Sequence, residues 1–133
     1  MKKLFILLLL PFFIACSSDD NNEPTQTYTS FTVTINSSSV FSNCVAGYKV
    51  DGKYKKLGDL GELTEGKTSP EIRLTDNSIT EIYIFADLGG VSGIVRADAV
   101  YTLTRNKKNS ITVLKNTKGI QVTDTTDPTQ YPQ

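Results

Sequence analysis

The chain carries fourteen Asp and Glu side chains and no histidine, and these two facts bound its chemistry. Without an imidazole there is no Ser-His-Asp triad, no Cys-His dyad and no histidine-based metal site. What remains for catalysis is a pair of carboxylates. Asp59, Glu62 and Glu65 fall within residues 58–66, and Asp87 and Asp98 flank a glycine-rich stretch. A glycosidase needs two carboxyls held about 5–10 Å apart on a rigid frame. Acids scattered through polar segments are solvated charges instead, so a carboxylate-dependent hydrolase stands only as an alternative. Asp59 with Glu62, or Asp76 with Asn77, offer oxygen ligands, but their spacing matches no calcium loop. Neither a metal nor another cofactor is expected.

Cys44 lies in Phe41-Ser-Asn-Cys-Val-Ala-Gly-Tyr48, a strand-like context. A thiol with no base to activate it packs as a small hydrophobe, so Cys44 is expected buried and inert. The pattern closest to a binding patch is Lys53, Tyr54, Lys55 and Lys56, with Lys49, around Asp51-Gly52. A tyrosine among lysines suits an anionic glycan or lipid headgroups. The competing explanation is a hairpin edge that lysines keep from pairing with other sheets. Gly89–Gly93 is no phosphate loop, since neither a helix nor Lys-Ser/Thr follows it. There is no Trp, which leaves Tyr48, Tyr54 and Tyr83 as aromatic platforms for a sugar.

The elements that must position these residues read as strands. Phe31, Val33 and Ile35 alternate with threonines, residues 40–50 continue the pattern, and Asp51-Gly52 is a two-residue hairpin signal returning into Tyr54–Leu57. Residues 58–66 read as a loop whose Leu60 and Leu63 tuck inward. A short strand covers 71–75. Ile79–Ala86 is apolar on both faces and reads as a central strand. Residues 94–104 alternate with Val95, Ala97, Ala99, Tyr101 and Leu103 inward, and 111–114 and 120–122 complete the set. Seven or eight short strands with turns every eight to twelve residues predict an all-β fold, a single antiparallel β-sandwich of immunoglobulin or transthyretin type, with a closed barrel as competitor.

The N-terminus carries an address. Lys2 and Lys3 precede an apolar run from Leu4 to Ala15 that is broken at Pro11, too short for a span of about 17–25 residues. This is the order of a secretory signal. Phe13-Ile14-Ala15-Cys16 resembles the lipobox of bacterial lipoproteins, in the looser form used by surface lipoproteins of the Bacteroidetes type. The resemblance implies cleavage before Cys16, lipidation of Cys16 by acyl chains, and Cys44 left as an unpaired thiol. In that group an acidic run after the lipidated cysteine exports the protein to the outer face of the outer membrane. Ser17, Ser18, Asp19 and Asp20, followed by Asn21-Asn22-Glu23, resemble that signal; as a bare composition they are a solvated spacer. The segment Leu57-Gly-Asp-Leu60, the stretch Glu65–Pro70 and the 79–86 strand are similar to small β-sandwich lipoproteins of the same group, and this likeness carries over no functional residue.

These readings divide the chain into a signal (1–15), lipidated cysteine and flexible tether (16–27), β-sandwich (28–124) and disordered tail (125–133). Loss of the signal removes Lys2 and Lys3, leaving twelve basic and fourteen acidic side chains. With no basic stripe, nucleic acid is excluded as a partner. Asp124-Thr125-Thr126 resembles the short O-glycosylation signal of envelope proteins in the same group, which implies Thr125 as acceptor. The expected function is a non-enzymatic outer-membrane surface lipoprotein. It would be a binding or structural module, accessory to a larger envelope assembly through a protein partner, or a binder of anionic glycan through the Lys/Tyr hairpin.

Overall fold

The computed structural model describes residues 25–88 and 93–133. The expectations for Cys16, Ser17, Ser18, Asp19 and Asp20 therefore lie outside the described residues. Nine strands and no helix are present among those described: β1 (Ser30–Asn36), β2 (Phe41–Val50), β3 (Lys53–Leu63), β4 (Ile72–Arg73), β5 (Glu81–Asp87), β6 (Ile94–Ala97), β7 (Tyr101–Thr102), β8 (Lys108–Leu114) and β9 (Gly119–Gln121). They form two packed sheets. One has the order β4-β1-β8 and the other β3-β2-β5-β6-β9, with β7 pairing the start of β5 beyond the end of β6. The fold is the expected β-sandwich.

Alternation places the core. Phe31, Val33 and Ile35 of β1 and Ile111 of β8 face Cys44 and Ala46 of β2, Leu60 and Leu63 of β3, and Ile82 and Ile84 of β5, all buried between the sheets. The β2–β3 hairpin turns as its Asp-Gly pair requires, with positive φ at both residues, 51° at Asp51 and 79° at Gly52. β5 lies at the centre of its sheet and is apolar on both faces, as its sequence implies. Ile82 and Ile84 enter the inner core, while Phe85 joins Val45 and Val122 in a second cluster on the outer face.

Four details differ from the sequence expectation. Residues 58–63 are strand, not loop. Register shifts opposite Cys44 and a positive φ at Gly61 absorb the irregularity, so Leu60 and Leu63 are buried as strand residues. The 94–104 run breaks into β6 and β7 where the Asp98 amide turns to the Lys118 carbonyl. The sandwich is not wholly antiparallel, because β1 and β8 pair in parallel over seven residues, from Ser30↔Lys108 to Asn36↔Leu114. The C-terminal tail is packed rather than disordered. Tyr131 meets Phe85 edge-on at 5.7 Å, Pro132 is buried, and the Gln133 carbonyl accepts the Lys56 amide at 3.2 Å. Residues 123–133 thus strap the outer face of the larger sheet from β9 across to β3.

Candidate functional site

Strand geometry divides the lysine-tyrosine hairpin that the sequence presents as one patch. Directly opposed residues of an antiparallel pair share a face. Tyr54 opposes Lys49, and both belong to the outer face; Lys55 opposes Tyr48, whose ring packs toward the inner core. Lys53 is exposed beside the turn. Lys56 is held by Asp59 at 2.8 Å. The four residues therefore do not converge.

Tyr54 instead belongs to an aromatic and cationic constellation. Its ring meets Tyr83 at 5.1 Å and Phe85 at 5.2 Å, both edge-to-face, a geometry the ring quadrupoles favour. Arg96 of β6 donates from Nη1 to the Tyr54 hydroxyl at 2.6 Å. Its guanidinium lies 5.5 Å from the Tyr54 ring centre and 5.4 Å from that of Tyr83, while Lys49 Nζ lies 5.3 Å over Tyr54. The two rings therefore hold the cation. Neither ion pair found among the described residues involves Arg96. The Tyr83 hydroxyl titrates above the ordinary tyrosine range, first through desolvation, then through Tyr54 and Glu81, against a smaller opposing effect of Arg96.

Beside Arg96 opens a groove of about 180 Å³, lined by Tyr54, Ile120, Gln121, Thr129 and Gln130 among others. One wall is β9 and the other is the tail. The Gln130 side-chain oxygen fixes the tail by accepting from the Thr123 amide and hydroxyl at 3.2 and 2.9 Å. The groove thus offers an aromatic edge, a guanidinium and carboxamides. This set suits hydroxyls and a negative group on one ligand.

A second groove of about 330 Å³ lies at the hairpin end, where Lys49 and Lys55 face Asp76 and Glu81. Its charges are of both signs. A third space, about 90 Å³, opens between the sheets beside Cys44 and Phe41. Cys44 is 1% exposed, and burial pushes its thiol up to about 11, with the Leu63 amide acting against that and Glu62 with it. A thiol so placed is protonated at neutral pH.

Of the candidate carboxyls, Asp59 and Glu62 stand on β3, Glu65 just beyond it, Asp87 at the end of β5 and Asp98 just after β6. Asp59 is paired with Lys56, Glu62 and Glu65 are exposed, and Asp98 accepts the Lys118 amide at 3.1 Å. Glu71, Asp76, Asp124 and Asp127 titrate below their ordinary range, held mainly by hydrogen bonds from Ser30, Ser78, Thr126 and Thr129 respectively. Among the described residues no group of His, Cys, Asp or Glu side chains is placed to hold a metal. Thr125 is exposed in a turn closed by Asp124, whose carboxylate accepts from the amide and hydroxyl of Thr126 at 2.9 and 2.7 Å.

Tyr54 and Tyr83 stand out in the sequence as aromatic platforms, whereas Arg96, Gln121 and Gln130 do not. The available signal was the polar side of the β6 alternation, where Arg96 stands out between Val95 and Ala97. The tail's part in the site had no local signal at all. Comparisons with protein-family models, with curated proteins and with solved structures found no match to this chain.

Proposed function

We propose that this protein is a lipid-anchored module of the outer-membrane surface that binds without catalysing, and that it takes an anionic glycan in the groove beside Arg96. The anchor part rests on the Lys-apolar-Ala-Cys16 order and on the acidic run that follows it. The observation that carries the binding part is Arg96 itself, clasped by two tyrosine rings, outside any ion pair of the described residues, and open to a groove lined by carboxamides.

The anchor is tested by mass spectrometry of the mature N-terminal peptide, with Cys16→Ala beside it. A wild-type protein that keeps residues 1–15 and no acyl chain removes this part of the reading. Export is tested by protease shaving of whole cells, with Asp19→Ala/Asp20→Ala expected to protect the body. Binding is tested by calorimetry with polygalacturonate and heparin as acidic probes and dextran as the neutral one. Arg96→Ala should weaken acidic-probe binding about 10–100-fold, the range of a hydrogen bond to a charged group, and Tyr54→Phe should weaken it less. Lys53→Ala, away from the groove, should leave it unchanged. Equal affinity of wild type and Arg96→Ala rejects the glycan site.

A further inference from the structure

We infer that the end of the sandwich from which the tether leaves is an electrostatic docking face for an anionic lipid surface. That this surface is the protein's own membrane rests on the anchored reading above.

The exit is fixed by hydrogen bonds. The Thr29 amide donates to Asn77 Oδ1 at 3.0 Å, its hydroxyl accepts the Asn106 amide at 2.9 Å, and its carbonyl accepts the Leu74 amide at 2.9 Å. Tyr28, just before it, lies under the Arg73 guanidinium at 3.6 Å. Cations gather around this point. Arg73 is on β4, Arg105 and Lys107 are in the turn before β8, and Lys108 opens β8. The tip of the β2–β3 hairpin reaches the same end. The segment 76–81, which holds Thr29 through Asn77, also faces Lys49 and Lys55 across the hairpin groove, and Lys53 lies at the turn.

All seven of these cations are exposed. Four acids share the end, Asp51, Glu71, Asp76 and Glu81, and Glu71 is engaged by Lys108 at 2.9 Å. Leaving aside the three acids of the tether itself, Asp19, Asp20 and Glu23, the folded end from which it leaves therefore carries a net charge of +3. The remaining described residues hold five cations and seven acids, a net of −2. The body is thus an electric dipole whose positive end is where the chain leads to the lipid. From Cys16 to Tyr28 the chain spans at most about 40 Å, so the positive end is kept near the bilayer. A length limit alone does not set orientation. Attraction between this end and anionic headgroups does, and it directs the acidic remainder outward. Each cation near such a surface strengthens binding about fivefold at low salt.

The test uses the acyl-free mature chain, residues 16–133 with Cys16→Ser, which retains every described strand and both core clusters. It is sedimented with phosphatidylcholine vesicles, pure or with about a third phosphatidylglycerol, at about 20 mM and about 0.5 M NaCl; the higher salt shortens screening to a few ångströms. Binding is expected only to anionic vesicles at low salt. Lys53→Ala/Lys107→Ala should weaken it about twentyfold, and Lys115→Ala/Lys118→Ala, away from the exit, should not change it. Thermal melting confirms that both variants fold. The inference is overturned if wild type ignores anionic vesicles, or if the two double variants bind alike. It is also overturned if inorganic phosphate displaces the chain better than chloride at equal ionic strength, which would mark a discrete phosphate site instead of a docking face. Lipidation of Cys16 is read separately by mass spectrometry, so loss of the anchored reading leaves the vesicle result interpretable.

Discussion

Replacing Tyr131 by Ala should destabilise the whole sandwich, although the residue is the third from the end of the sequence. Tyr131 is half-buried and packs edge-to-face on fully buried Phe85. Truncation returns about 100 Å² of apolar contact to water, worth about 2.5 kcal/mol at 25 cal/mol per Å². The lost ring pair adds about 0.5–1.5 kcal/mol, and relaxation of the freed strap recovers part of the sum, leaving about 2–3 kcal/mol. For a domain of this size that lowers the melting temperature by about 10–20 °C. Thermal and urea denaturation followed by circular dichroism read it directly, with Tyr131→Phe as a control that keeps the ring. Gly47→Ala provides an independent lever, because a Cβ there would stand 3.0 Å from Pro132 Cγ and 3.0 Å from the Lys55 carbonyl oxygen. Both changes act by lifting the strap, so their effects should be less than additive in a double-mutant cycle. A Tyr131→Ala protein within about 0.5 kcal/mol of wild type, the range of an ordinary surface change, would refute the strap.

Three further outcomes follow from single contacts. The Cys44 thiol, displaced from 9.0 to about 11 in the fold, is protonated when folded and ionised when unfolded between these pH values; it should take up to about 3 kcal/mol of stability across that window, and Cys44→Ala should remove the part of the fall that begins near pH 9, leaving the later fall from the raised Tyr83, Tyr101 and Tyr131 hydroxyls. The Tyr101 hydroxyl is buried, and Thr117 approaches it without forming a well-directed bond; Tyr101→Phe should be neutral or stabilise by up to about 1 kcal/mol in urea titration. A Cβ on Gly58 would meet Ile72 Cδ1 at 2.9 Å; Gly58→Ala should cost about 1–2 kcal/mol, and Ile72→Val should recover part of it by removing the opposing atom.

Local signals were legible and non-local ones were not. Asp51-Gly52 declares its turn because few other pairs accept two positive φ values in succession. The two apolar faces of β5 announce a strand covered on both faces of its sheet, by the inner core on one and by the second cluster on the other. Gly58, Gly61 and the intervening acid look like a loop because composition does not distinguish a bulged strand from a turn; the bulge appears only when β2 supplies the register. The parallel pairing of β1 with β8 depends on the path of the chain between them. The tail reads as loose because it is rich in threonine and proline. What orders it is Phe85 and the missing side chain of Gly47, distant in sequence. Arg96 is inconspicuous in the sequence for the same reason. A lone cation on a strand gains meaning only from Tyr54, brought beside it across two intervening strands.

Stability and the proposed binding meet in the strap. The inner core consumes only one face of the larger sheet, yet Val45, Phe85 and Val122 make part of its other face apolar as well. Left open, that face would expose large hydrophobic area. The chain covers it with its own last eleven residues, anchored at one end by the Val122 amide on the Ile94 carbonyl at 2.7 Å and at the other by Lys56 and Gln133. In crossing, the strap brings Thr129 and Gln130 opposite Tyr54 and Arg96 and so creates the groove as it buries the ring. On the proposed reading one segment serves both stability and binding, and mutation of Tyr131 should affect the two together. Tyr131→Ala should lose affinity for the acidic probe even at a temperature where the sandwich remains folded, because it frees the groove wall. Arg96→Ala should lose affinity with the strap intact. If Tyr131→Ala binds as wild type does while its melting temperature falls as predicted, the tail is a structural cover and the ligand is held by the sheet alone.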